Sequence, residues 1–172
     1  MKKMILMTVL LGLTILNAVT IGKEVPELTI SGEDGGTLNE KAWKTHSMKG
    51  KVIALFYVDP DVKDLNDALG LRLKSAKLDK HKFQTVAVIN LAATWMPNAL
   101  IEMALKEKQE QFPDVLYVKD KSKLLVKKWN LEDDNSDVVI FDKSGKCIYK
   151  HFGKLTDKDN NEVISLIKKY IE

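Results

Sequence analysis

The chain contains one cysteine, Cys147, among 172 residues. No intramolecular disulfide can form, and dithiol–disulfide cycling within one chain is chemically excluded because it needs two sulfurs. Proline and glycine are scarce as well, four and nine residues, which excludes a collagen-like or low-complexity chain. Neither sign of charge dominates. Lys and Arg number 27 against 24 Asp and Glu, a formal net charge of +3 that gives no footing for nucleic-acid binding. The hydrophobic share of 45% fits one soluble domain and excludes both a disordered tail and a multi-span membrane protein. Glycine-rich phosphate loops, a dinucleotide fingerprint and a nucleophile elbow are missing. His46, His81 and His151 fall on separate segments without the pairing of a zinc or copper site.

What is present begins at the N-terminus. Lys2 and Lys3 precede an apolar run over residues 4–16, and Asn17, Ala18, Val19 and Thr20 follow. This is the pattern of a secretory signal, so residues 1–20 are expected to be a signal peptide and 21–172 the folded domain. As a helix the run rises only about 20 Å, short of a hydrocarbon core of roughly 30 Å. The alternative, an uncleaved anchor, has to recruit residues 17–21.

Along the remainder, residues 25–30 read as a short strand and 31–36 as a turn-rich break. Residues 51–58 form a continuous apolar run, expected for a central strand covered on both faces. From 61 to 78, Val62, Leu65, Leu69, Leu73 and Ala76 recur at helical spacing, with Asp61 placed to cap the helix and Gly70 weakening it. A strand over 83–90, a helix over 97–112 and a strand over 114–118 follow. Then come a short helix over 122–129, a hairpin of 137–141 with 147–152, and a last helix from 157, where Thr156 and Asp159 resemble a capping box. The order predicts an α/β sandwich around a mixed sheet, parallel early and antiparallel late.

The residues themselves resemble known proteins. Phe112-Pro113-Asp114-Val115-Leu116, Asp120, Leu125, Trp129 and the run Val139-Ile140-Phe141-Asp142-Lys143-Ser144-Gly145 are similar to the second half of secreted thioredoxin-like proteins. A narrower resemblance, to the YtfJ family of periplasmic thioredoxin-like proteins, is carried by three groups of residues. The first is Trp43 with Gly50-Lys51-Val52. The second is Lys74-Ser75-Ala76-Lys77-Leu78 with Phe83-Gln84-Thr85 and Asn90. The third is Trp129-Asn130-Leu131-Glu132 with Ser136, Val138, Val139 and Asp142-Lys143. It implies a thioredoxin-like three-layer sandwich with helices on both faces, a periplasmic location and no membrane contact after signal cleavage. It does not imply an activity.

Laid on the thioredoxin pattern, Asp61 and Asp64 fall where the two redox cysteines stand, and Ser136 replaces the proline before the hairpin strand. Both halves of the redox apparatus are missing. Cys147 is expected to be a buried strand residue far from that helix N-terminus. In such a fold Asp59, Asp61 and Asp64 face Glu132, Asp133, Asp134 and Asp137. Two readings of these carboxylates stay open: a Ca²⁺ or Mg²⁺ site built from two loops, or helix capping and solvation. Trp95-Met96-Pro97 is either an exposed recognition patch or a lid over the core. The function expected is a non-redox binding or accessory module for a periplasmic protein or small ligand, without a cofactor. The alternative is an enzyme or cation-binding protein using the acidic cluster.

Overall fold

The computed structural model describes residues 18–172. Their order is β1 (Thr29–Ile30), β2 (Gly35–Thr37), β3 (Trp43–Lys44), β4 (Val52–Val58), α1 (Asp67–Ser75), β5 (Phe83–Asn90), α2 (Asn98–Gln111), β6 (Val115–Asp120), α3 (Leu124–Trp129), β7 (Ser136–Phe141), β8 (Cys147–Phe152) and α4 (Asp157–Ile171). Short 3₁₀ turns occupy Gly32–Asp34, Thr45–Met48 and Pro60–Val62. The secretory-signal reading rests mainly on residues 1–17, outside the described residues.

Six strands make one sheet in the order β2-β6-β5-β4-β7-β8. β4, β5 and β6 run parallel, β7 and β8 are antiparallel neighbours on one side, and β2 closes the other edge antiparallel to β6. Every residue of β4 is buried, as expected for a strand covered on both faces. The β4-α1-β5 and β5-α2-β6 crossovers advance in the same direction, and right-handed connection puts both helices on one face. After β6 the chain returns across the other face through α3 to reach β7. α4 then joins α1 on the first face, anchored by Val163 and Ile167. Its entry is a complete capping box: the Thr156 hydroxyl accepts from the Asp159 amide at 3.2 Å, and the Asp159 carboxylate accepts from the Thr156 amide at 2.8 Å.

The two faces bury separate cores. One gathers Trp43, Trp129, Phe141 and Cys147 beneath α3 and the N-terminal segment. Trp129 stands between Trp43 at 6.3 Å and Phe141 at 5.9 Å, both tilted, the favoured arrangement for aromatic rings. Val19 is buried in this core and donates its amide to the Trp129 carbonyl at 2.9 Å. The other face packs Leu69 and Leu73 of α1, Ile101 and Leu105 of α2, and Val163 and Ile167 of α4 on the sheet. Each such side chain, fully buried, contributes roughly 1.5–3 kcal/mol.

Three sequence expectations need correction. The helix expected over 61–78 begins at Asp67, because residues 60–66 turn in short loops and Asn66, with φ −118° and ψ 24°, is committed to bonds across the fold. Asp61 is not the cap. The Asp59 carboxylate accepts from the Asp61 amide at 2.8 Å and caps the 3₁₀ turn instead. The break over 31–36 contains two of the three residues of β2: Gly35 and Gly36 lie at φ +122° and +139°, and a Cβ on Gly35 would stand 1.9 Å from the Lys119 carbonyl oxygen. Only glycine permits that edge strand.

Candidate functional site

The position of a thioredoxin redox centre lies between the end of β4 and the start of β7. Here Asp61 and Asp64 are both exposed, in the turns ahead of α1 rather than at its first residues. Ser136 is buried, paired across from Val58. Between them stands Asn66, a residue that sequence reasoning did not single out. Its carboxamide nitrogen donates to the Ser136 carbonyl and hydroxyl, each at 3.1 Å, and to the Gly153 carbonyl at 3.0 Å. Its oxygen accepts from the Leu155 amide at 3.0 Å. One buried side chain thus ties the start of α1 to β7 and to the β8–α4 connection. An Asn amid Lys63-Asp64-Leu65-Asn66-Asp67 looks like any helix-entry residue, and nothing local reveals partners about 70 to 90 positions away.

The carboxylates come near one another but find separate partners. Asp59 is buried, and burial pushes its carboxyl upward against the bond from the Asp61 amide; Asp61, Asp134 and Asp133 add to the rise. Asp61 accepts from the Thr94 hydroxyl at 2.9 Å. Asp133 accepts from Lys123 at 2.5 Å and from the Asn90 side chain at 2.9 Å. Burial works against its charge, but these two outweigh it and hold the pKa below the usual carboxylate range. Glu132 takes the Asn135 side chain, and Asp64 and Asp134 stand in solvent. Among the described residues no three Asp, Glu, His or Cys side chains gather as a metal-ligand set. Of the six carboxylates expected as a cluster, Asp59, Asp61, Glu132 and Asp133 hold separate partners, while Asp64 and Asp134 stand in solvent.

Two further acids are fully buried. Asp120 receives the amides of Ser122, Leu124 and Leu125 at 2.9–3.1 Å and the Tyr57 hydroxyl at 3.2 Å, which fixes α3 on the sheet. Burial and the Asp120 charge drive the Tyr57 phenol far upward, so it stays protonated. Asp137 accepts from the Glu132 amide at 2.7 Å through Oδ2, while Oδ1 has no hydrogen-bond partner among the described residues. Burial lifts its carboxyl to about 7, against the bond from Glu132 and with that residue's charge adding to the rise. Cys147 is wholly buried, and burial raises its thiol to about 11, far from the low value a reactive thiol needs.

One large concavity accompanies this locked position. A cleft of about 880 Å³ opens between α1 and α2 over the sheet, floored by Phe56, Ala87, Ile89 and Tyr117. Ser136 and Asn66 lie at one end, Lys51 and Phe83 at the other. Met96 lines it, and the adjacent Trp95 is 90% exposed, so the apolar segment before α2 stands in solvent rather than closing over the core.

Known proteins with this arrangement fall into two groups. Among solved structures, the pneumococcal exposed lipoprotein thioredoxin Etrx1 from Streptococcus pneumoniae superimposes with a TM-score of 0.59 at 14% identity, over 83% of this chain and 98% of that one. The thioredoxin domain of a thiol-disulfide oxidoreductase from Bacteroides vulgatus gives 0.61 at 16% identity, over 87% and 99%. These likenesses show the fold, which is thioredoxin-like. In sequence, the uncharacterized protein YtfJ of Escherichia coli strain K12 is 26% identical over 159 residues, 88% of this chain and 86% of that protein. An uncharacterized protein of Haemophilus influenzae is 26% identical over 147 residues, 84% and 78% of the two chains. The family described as bacterial protein of unknown function (YtfJ_HI0045) matches residues 16–170, and the chain belongs to that family.

Proposed function

We propose that the protein is an exported, non-redox module that keeps the thioredoxin scaffold for binding, with the cleft between α1 and α2 as the binding surface and no cofactor. The observation that carries this reading is the Asn66 network: where a redox centre would present two thiols, a buried amide locks β7 to α1, and the only sulfur of a cysteine lies under the opposite face. A carboxylate at 61 or 64 forms no mixed disulfide. The experiment is insulin reduction with dithiothreitol, using the wild type and Cys147→Ser. Both are expected to match buffer; turnover that vanishes in the Ser variant would overturn the reading.

Export to the periplasm is supported by the lysines and apolar run of residues 1–16. Among the described residues no helix is long and apolar enough to cross a membrane. Cleavage after Ala18 keeps Val19 in the core, so mass spectrometry of the protein from its host should find Val19 first. An intact Met1 in a cytoplasmic fraction contradicts export.

A further inference from the structure

Gly70 sits in the middle of α1, where glycine weakens a helix relative to alanine. The usual excuse, a neighbour too close for a side chain, is missing: a Cβ there would meet nothing within 4 Å, and the residue has no positive φ. What Gly70 does is line the cleft, and any larger side chain would narrow it. Beneath lies an apolar floor. Around one end lie Lys51, Lys74 and Lys77, together with the Lys80–Asp114 pair at 2.6 Å. Asp114 is taken by Lys80, and among the described residues Lys51, Lys74 and Lys77 have no carboxylate within ion-pair distance. Lys51 donates to the Lys80 carbonyl at 2.8 Å, and Lys74 donates to the Gln111 carbonyl at 2.9 Å and stands over the Phe112 ring at 4.6 Å, which leaves each ammonium further N–H groups. Lys74 and Lys77 belong to the Lys74–Leu78 block that carries part of the family resemblance and that the Asn66 network leaves unused.

We propose that this cleft binds a free single-chain amphiphile with an anionic head, a fatty acid such as laurate, with the carboxylate among Lys51, Lys74 and Lys77 and the chain lying past Gly70 toward Met96. This rests on the reading of the protein as a binding module and names its ligand class. The charge of the rim selects an anion, and the apolar floor selects a chain. The volume falls within the range of small-molecule sites, about 300–1,000 Å³. The run of β4 from Val52 to Val58, about 20 Å at 3.3 Å per residue, gives an extended chain room. A bilayer surface reaches only the rim, because the floor lies below two helices; a free molecule reaches both.

The test is calorimetric titration of the purified chain with laurate below its micelle concentration, beside sedimentation with phosphatidylglycerol vesicles. Wild type is expected to bind one laurate with micromolar affinity. Lys74→Glu with Lys77→Glu should weaken binding at least tenfold by reversing the rim charge. Gly70→Leu should abolish it by filling the cleft, while its thermal melt stays at or above that of the wild type because a helix glycine has gone. Absence of laurate binding by wild type, wild-type affinity in both variants, or sedimentation of the protein with vesicles overturns the proposal. A failure here is separable from failure of the non-redox reading, which the insulin assay decides whatever laurate does.

Discussion

The two faces of the sheet carry unequal cover, and the more heavily covered one is the more open. Three helices lie on the first face, yet α1 leans toward α4 and α2 lies over β6, leaving a cleft of about 880 Å³ between them. One short helix and an irregular N-terminal segment cover the second face, yet Trp43, Trp129 and Phe141 fill it completely. Large aromatic side chains close space that a short helix cannot. On the first face the gap between α1 and α2, beside Gly70, leaves space unfilled above Phe56 and Tyr117.

The largest expected effect sharpens this contrast. Trp129→Ala empties a sealed aromatic cluster and should cost about 3–5 kcal/mol, whereas Leu105→Ala beside an existing cleft should cost nearer 2 kcal/mol, at the low end for such truncations. Denaturant melts of the two variants read the difference; equal costs would mean the faces are packed alike.

Next in size is the buried acid of the sealed face. The folded-state pKa of Asp137, about 7, lies above its ordinary 3.8, so the native state holds the proton more tightly than the unfolded chain. Its contribution is fully present below pH 4 and is lost as pH rises through 7, on the order of a few kcal/mol over that window. Asp137→Asn keeps an oxygen for the Glu132 amide and should flatten this part of the stability–pH curve, with a higher melting temperature than wild type at pH 8. A wild-type curve that rises between pH 4 and 7 from this group contradicts the assignment.

At one end of the cleft, Asn66→Ala deletes four hydrogen bonds and strands the Leu155 amide, a loss of roughly 1–3 kcal/mol. It should bring no thiol-exchange activity. The smallest effect has the opposite sign. Gly70→Ala should stabilise α1 by about 0.5–1 kcal/mol, since the new methyl meets open space. Destabilisation in a thermal melt would mean that something packs against Gly70 and that the first face is closed there.

How far the sequence foretold this molecule varies with the range of the interactions involved. β5 at Phe83–Asn90, β8 and the capping box of α4 are legible because they depend on local pattern: apolar runs, a turn, a Thr three residues before an Asp. The substitution of both redox cysteines is legible because it concerns residue identity alone. The start of α1 is not, because Asn66 leaves helical geometry for partners in β7 and the loop beyond β8. β6 runs past its expected end because Lys119 and Asp120, polar in sequence, are buried there: Lys119 pairs with Glu40 and Glu102, and Asp120 holds α3. In the acidic loop, Asp133 pairs with Lys123 and with the Asn90 side chain, partners that its local pattern does not name.

The central claim is that no reactive thiol faces the position of a thioredoxin redox centre, and titration of the native protein with dithionitrobenzoate tests it most directly. The native fold should react with far less than one equivalent over minutes, and one thiol per chain should appear on adding guanidinium, because Cys147 is wholly buried with its thiol raised to about 11. One equivalent reacting at once in native buffer, with a rate that marks a low-pKa thiolate, would contradict it.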